Sequence, residues 1–124
     1  MSTLKSKVDD LNQQILNGQI LPAFEQYYDE SVVMEDIGTE IPTRTGKDAS
    51  RKHEEAFVGG ITAFHGANVK NVVVNETSEG SGVAYSEWFM HFDHSGYGND
   101  TKMAQVAVQE WKDGKIVHER FYHA

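Results

Sequence analysis

Apolar residues near the N-terminus recur at helical spacing: Leu4, Val8, Leu11 and Ile15. Polar residues fill the positions between them, which predicts an amphipathic helix that ends near the capping glycine of Asn17-Gly18. Pro22 suits the first turn of a second, short helix. A third helix is predicted over 48–58, because Asp48 follows a glycine-containing turn and is a good N-cap residue.

Alternation of apolar and polar residues replaces the helical pattern in the rest of the chain. It predicts strands over 31–36, 67–75, 83–93, 102–112 and 115–123. Asp113-Gly114 separates the last two strands and is the two-residue turn expected of a tight hairpin. Helices followed by a long antiparallel meander predict an α+β fold, with the helices packed on one face of a curved sheet.

Length and charge narrow the functional classes. The 124 residues fit one domain, 1–124, and the 19 acidic against 11 basic residues give a net charge of −8, which argues against nucleic acid and anionic membranes as partners. The chain has no cysteine, and no stretch approaches the roughly 20 apolar residues of a membrane span. We therefore expect a cytoplasmic protein whose partner is a small molecule or another protein.

Two stretches resemble a known family: YYDESVVMEDIGTEIPTRTGKDASRKHEEAF and VAVQEWKDGKIVHERFYH. With the helical pattern, they make the chain similar to the nuclear transport factor two-like superfamily, in its SnoaL-like and ketosteroid isomerase-like branch. That resemblance implies a cone-shaped α+β barrel, in which three N-terminal helices pack on a curved, mainly antiparallel sheet. The fold hosts enzymes, transport factors and dimerisation modules, so the resemblance alone does not fix a function.

The resemblance to ketosteroid isomerase is strongest at the end of the first strand, in VVMEDIG. It implies that Asp36 occupies the position of the proton-carrying base, and strand alternation then places Met34 on the same inner face while Glu35 points outward. The positions of the two enolate-stabilising donors fall on Asn12 and Gln109. Neutral amides stabilise an enolate less than a phenol or a carboxylic acid does, which argues against steroid isomerisation itself.

Alternation along the last three strands predicts the lining of a pocket. Aligning the last strand with the isomerase turns Val117, Glu119, Phe121 and His123 inward and Ile116, His118, Arg120 and Tyr122 outward. The predicted catalytic residues are Asp36, Glu119 and His123. The predicted ligand-binding residues are Met34, Trp88, Met90, Gln105, Gln109, Trp111, Phe121 and His65. A mostly apolar cavity with a few convergent polar groups is typical of small-molecule sites.

Structural alternatives stand beside these assignments. Asp36 at a strand end could bond to backbone amides of the following loop, Glu119 could pair with an arginine or a histidine, and His65 could be a packed or hydrogen-bonding histidine. The histidines are scattered over separate strands and a loop without a recognised ligand spacing, so we predict no metal site and no cofactor.

Two functional hypotheses follow. The first is a cofactor-independent isomerase, cyclase, dehydratase or hydrolase that acts on a small hydrophobic molecule, with Asp36 as general base, Glu119 or His123 as its partner and Gln109 polarising a carbonyl. The second is a non-catalytic ligand-binding or dimerisation module of the same fold. Under both, we expect a homodimer through the outer face of the sheet, where apolar side chains (Ile116, Phe89 and Tyr122) would otherwise meet water.

Overall fold

Residues 3–124, which the computed structural model describes, form helices and one sheet. The helices are α1 Thr3–Leu16, α2 Ile20–Tyr27 and α3 Lys47–Gly60. The strands are β1 Tyr28–Ile37, β2 Arg44–Thr45, β3 Ile61–Ser78, β4 Ser81–His94, β5 Gly98–Lys112 and β6 Lys115–His123. Each predicted element exists, and the α+β class predicted from the sequence is confirmed.

The strands lie in the order β2-β1-β6-β5-β4-β3. The β1–β6 pair is parallel, and every other neighbouring pair is antiparallel. Between the two edge strands β2 and β3, no pairing joins the described residues, so the sheet is open. The helices pack on one face, and this arrangement leaves a hollow between helices and sheet.

The strands are longer than the alternation indicated. The strand predicted over 67–75 is the middle of β3 Ile61–Ser78, which continues through several register shifts along its pairing with β4. One shift lies between Phe64 and Gly66, and Gly66 has a φ of 155°, a conformation that glycine tolerates best. The β5–β6 turn is as predicted, with positive φ at Asp113 and Gly114.

A bulge near the start of β6 makes part of the predicted alternation wrong. Glu110 lies opposite His118, but Trp111 lies opposite Ile116, so Val117 is an extra residue without a partner. Because a bulge reverses the order of faces, Ile116 turns inward and is fully buried in the core instead of lying on the outer face. Beyond the bulge, Glu119 and Phe121 face inward as predicted.

The core lies between the inner face of the sheet and α1 and α2. Its fully buried members include Leu4, Val8, Leu11, Val32 and Ile116. None of the helices in the described residues is long and apolar enough to span a bilayer. On the outer face, Tyr85 and Tyr122 are 43% and 44% exposed, and the homodimer through this face stays a prediction.

Candidate functional site

A cavity of about 260 Å³ lies between the inner face of the sheet and the helices. For comparison, an apolar protein cavity of about 150 Å³ binds benzene. The apolar wall includes Ile15 on α1, Phe57 on α3, Trp88 and Met90 on β4, Met103 on β5 and Phe121 on β6. This hollow therefore has the size and lining for a small hydrophobic molecule.

Polar side chains from every layer of the fold also line this cavity. We call seven of them the polar cluster: Tyr28, Asp36, Arg44, Glu54, Gln109, Glu119 and His123. Sheet pairing brings six of them together, because β6 lies between β1 and β5 and β2 pairs with β1, and Glu54 is added by helix α3. Asp36 lies opposite Phe121, and Gln109 lies opposite Glu119.

Asp36 faces the cavity and accepts hydrogen bonds from two basic side chains. Arg44 donates from Nη1 to Oδ2 over 2.8 Å, and the His123 ring donates from Nε2 to Oδ1 over 2.7 Å. The side chains of Arg44 and Asp36 are only 8% and 9% exposed. Arg44 is held further by the carbonyl of Pro42, at 3.1 Å. Both oxygens of the Asp36 carboxylate are thus occupied by protein donors.

Glu119 is buried and is also held at both oxygens. The Tyr28 hydroxyl donates to Oε1 over 2.5 Å, and Gln109 donates from Nε2 to Oε2 over 2.6 Å. Trp111 Nε1 in turn donates to the Gln109 carbonyl over 3.1 Å, which fixes the orientation of the amide. One of the two donor hydrogens of Gln109 is therefore directed to Glu119, and the role of Gln109 at a substrate carbonyl stays a prediction.

Burial controls the ionisation of these groups. It raises the pKa of Glu119 to about 7, although the hydrogen bonds from Tyr28 and Gln109 oppose the rise by stabilising the anion. Burial, and next the negative charge of Glu119, raise the pKa of Tyr28 well above its ordinary value. The tyrosine is therefore the proton donor of this hydrogen bond throughout the neutral range.

Sequence reasoning missed Tyr28 and Arg44 of this cluster and also its third carboxyl group, Glu54. It lies on α3 and lines the cavity, and burial followed by the charge of Glu119 raises its pKa to about 7. Beside it, burial and then the charge of Arg44 lower the pKa of His53. A signal existed in the sequence, because Ser50, Glu54 and Phe57 share one helical stripe and an acid on an inward stripe is unusual.

The predicted site residues fall into three groups. Asp36, Glu119, His123, Trp88, Met90, Gln105, Gln109 and Phe121 all line the cavity. Met34 and Trp111 are buried in the core next to it. His65 lies outside the lining: it sits at the register shift between Phe64 and Gly66, where it is exposed and bonded to Asp93 at 3.0 Å. Within residues 3–124, no three histidine or acidic side chains converge as a metal site would require.

Comparisons with known proteins agree with this architecture. The family model of the SnoaL-like domain matches residues 8–119. A candidate SnoaL-like polyketide cyclase from Mesorhizobium loti superposes with a TM-score of 0.81 at 21% identity, covering 97% of this chain and 98% of that one. A candidate isomerase from Bacillus subtilis superposes with a TM-score of 0.69 at 20% identity, covering 98% and 86%.

A third structure is a nuclear transport factor two-like protein of unknown function from Burkholderia xenovorans. It superposes with a TM-score of 0.72 at 17% identity and covers 98% of this chain and 83% of that one. A search of curated proteins found no match. At these low identities the structural neighbours support the fold alone. The family model is evidence of membership, because it matches most of the sequence. The chain therefore belongs to the SnoaL-like domain family.

Proposed function

We propose that this protein is a cofactor-independent enzyme that moves a proton on a small, hydrophobic carbonyl compound held in the cavity. One observation carries the proposal: three carboxyl groups and a single arginine line the same, otherwise largely apolar hollow. These are Asp36, Glu54, Glu119 and Arg44, and Arg44 is hydrogen-bonded to Asp36.

The ionisation of these carboxyl groups suits proton transfer. An acid whose pKa is about 7, as for Glu54 and Glu119, is close to half ionised at neutral pH and can both accept and return a proton. Isomerisation, aldol-type cyclisation and dehydration share a step in which a base removes a proton beside a carbonyl. The fold neighbours include a candidate cyclase and a candidate isomerase, which is a fold-level analogy in favour of such chemistry.

The other members of the cluster suit supporting roles. Arg44 supplies fixed positive charge, which stabilises the negative charge that develops on a substrate oxygen. Asp36 fixes the His123 ring through Nε2, so that Nδ1 is the ring atom left for a substrate or a solvent proton. The catalytic roles predicted for Asp36, Glu119 and His123 stay predictions, although all three lie in the cluster.

A second candidate function is ligand binding without turnover. The observation in its favour is that both carboxylate oxygens of Asp36 and of Glu119 accept protein hydrogen bonds. Carboxylates held in this way can shape and polarise a pocket without taking part in chemistry. The two candidates differ in one measurable property, which is proton exchange on a bound ketone.

The test uses 2-tetralone, a bicyclic ketone with an activated methylene group. The protein is added in D₂O, and loss of the methylene proton signal is followed by NMR against buffer alone. We expect exchange to be accelerated about 100-fold or more, the contribution typical of one positioned base. Binding of 2-tetralone without accelerated exchange would favour the non-catalytic candidate.

A matched pair of substitutions locates the reaction. Ala107 lies on the cavity wall and Ala104 is an exposed residue of the same strand. Ala107→Phe fills the cavity and should abolish the accelerated exchange, whereas Ala104→Phe should leave it unchanged. Equal exchange by both variants would contradict a reaction inside the cavity.

A further inference from the structure

Glu54 differs from the other two acids of the polar cluster in its hydrogen bonding. Asp36 and Glu119 each accept a hydrogen bond at both oxygens. Within residues 3–124, no donor forms a hydrogen bond to the Glu54 carboxylate, although this side chain lines the cavity. A half-buried carboxylate without a donor on the wall of a largely apolar cavity is energetically costly, so its presence there calls for a reason.

Charged and titratable groups face Glu54 from the strands packed against α3. They are Asp36 and Tyr28 on β1, Arg44 on β2 and Glu119 on β6. The two acids disfavour the Glu54 anion, and Arg44 favours it. Glu54 is therefore partly ionised at neutral pH, and its carboxylate takes up a proton more readily than an exposed glutamate does. Both of its oxygens are free for a ligand.

We propose that Glu54 is the catalytic base, and that its substrate is a neutral hydrophobic ketone with an acidic C–H bond beside the carbonyl. A Glu54 oxygen takes the proton, so the C–H bond breaks and an O–H bond forms on the carboxyl group. The C–H electron pair becomes the C=C bond of an enolate, and the carbonyl π pair moves to oxygen. This assignment rests on the proposed function and identifies the side chain that removes the proton.

The return step balances the reaction. The protonated Glu54 gives the proton back to carbon, either at the position it came from or at another carbon conjugated with the enolate. Return to the first position gives exchange once the proton on the carboxyl group has been replaced by one from solvent, and return to another position is isomerisation. No oxidant, reductant or further reactant is required, because one proton leaves and one returns.

The charge of the cluster selects the substrate class. Arg44 is the single cation that faces Asp36, Glu54 and Glu119 among the groups named above, so the wall carries at least as much negative as positive charge at neutral pH. A carboxylate or phosphate substrate would add like charge to this buried wall at a cost. A neutral ketone becomes negative only as Glu54 becomes neutral, so the total charge of the site is constant during the reaction.

Asp36 and Glu119 are positioning residues under this assignment. Asp36 holds Arg44 and His123 in place, and Glu119 holds Tyr28 and Gln109. Burial is the main cause of the raised pKa of Glu54, and the charges of Glu119 and Asp36 add to it. Neither has an oxygen free of protein donors to receive the substrate proton directly.

The experiment compares Glu54→Gln with Glu55→Gln, its exposed neighbour on the same helix. The probe is again 2-tetralone in D₂O, and its binding is followed by quenching of tryptophan fluorescence, because Trp88 lines the cavity. We expect Glu54→Gln to lower the exchange rate constant about 100-fold or more and to change the dissociation constant by less than about threefold. Glu55→Gln should match the unsubstituted protein in both.

The outcomes separate the two proposals. Accelerated exchange that survives in Glu54→Gln overturns the assignment of the base and leaves the proposed function standing. Absence of accelerated exchange in the unsubstituted protein overturns the proposed function itself. Equal losses in Glu54→Gln and Glu55→Gln would mean a general effect of substitution on α3 and would also overturn the assignment.

A conservative variant and a pH profile guard against a merely structural effect of Glu54→Gln. Glu54→Asp keeps the carboxylate one methylene further back and should retain part of the exchange activity, with its rate still rising with pH. In the unsubstituted protein the rate constant should increase as pH rises through about 7, the pKa of Glu54, because the base must be deprotonated. A rate constant independent of pH from 5.5 to 8.5, values chosen about 1.5 units either side of that pKa, would contradict the proposal.

Discussion

Taken together, strands β1, β5 and β6 form a surface with acidic residues on both faces, and the surroundings of these acids differ between the faces. On the outer face, His118 bonds to Glu35 at 2.5 Å and Arg120 bonds to Glu110 at 2.6 Å. There, each acid has a basic partner and both keep contact with water. On the inner face, Arg44 is the shared counter-charge of Asp36, Glu54 and Glu119.

The difference in exposure decides what each pair contributes. The Arg120 and Glu110 side chains are 25% and 44% exposed, and pairs of this kind contribute from zero to about 1 kcal/mol. The Arg44 and Asp36 side chains are nearly buried, where charges cost free energy to desolvate and interact strongly. Water therefore compensates the outer charges, whereas the inner charges depend on one another.

Neighbouring residues Glu35 and Asp36 show that this contrast follows from strand geometry. They are chemically similar, yet successive side chains of a strand point to opposite faces. One of them joins the exposed network with His118, and the other joins the polar cluster with Arg44. A site of this kind is thus created by the register of the strand as much as by the residue type.

The largest effect should follow removal of the inner cation by Arg44→Met. Asp36 would then be left buried without its counter-charge, and we expect the free energy of unfolding at pH 8 to fall by about 3–5 kcal/mol. Urea denaturation at constant pH measures this change. Arg120→Met, the matched substitution on the outer face, should cost less than about 1 kcal/mol. Equal losses of stability in the two variants would contradict the difference between the inner and the outer face.

A smaller effect is expected in the dependence of the free energy of unfolding on pH. Burial raises the pKa of Glu119 from 4.5 to about 7. Between these two pH values the unfolded chain has released the Glu119 proton while the folded chain still holds it. Stability from this group is therefore present below pH 4.5 and is lost as pH rises to about 7. The loss amounts to roughly 3 kcal/mol at most for a shift of this size.

Glu119→Gln tests the pH effect with little change of shape. The amide can still accept a hydrogen bond from Tyr28 or Gln109, but it does not titrate. The decrease in free energy of unfolding between pH 5 and pH 8 should be smaller in this variant than in the unsubstituted protein. Glu110→Gln on the outer face is the control and should leave the decrease unchanged. Parallel pH curves for all three proteins would contradict a buried, titrating Glu119.

Much of the fold could be predicted from the sequence because its signals are local. The apolar spacing in α1, the Asp113-Gly114 turn and the inward alternation of β4 each depend on residues close together in the chain. The resemblance to the isomerase implied the inward direction of Asp36 and Glu119, and both line the cavity. Predicting these positions required only the two-residue period of a strand and one family resemblance.

The remaining features depend on register and on distant partners. The bulge that buries Ile116 and the shift that displaces His65 come from strand pairing, which alternation within one strand does not report. Arg44 meets Asp36 because the short strand β2 pairs with β1. Glu54 reaches the acids of the sheet only through the packing of α3, which the spacing within the helix does not report.

The smallest effect should come from the outer member of the neighbouring acid pair. Glu35→Gln removes the charge that faces His118, where the two side chains are 30% and 31% exposed. We expect the free energy of unfolding to change by less than about 1 kcal/mol, and the change to shrink further in 1 M salt as screening weakens the pair. Exchange of 2-tetralone protons should be unaffected, because Glu35 lies on the opposite face from the cavity. A loss of exchange in Glu35→Gln would mean that the outer charges act on the cavity through the sheet, and the two faces could then no longer be treated as independent.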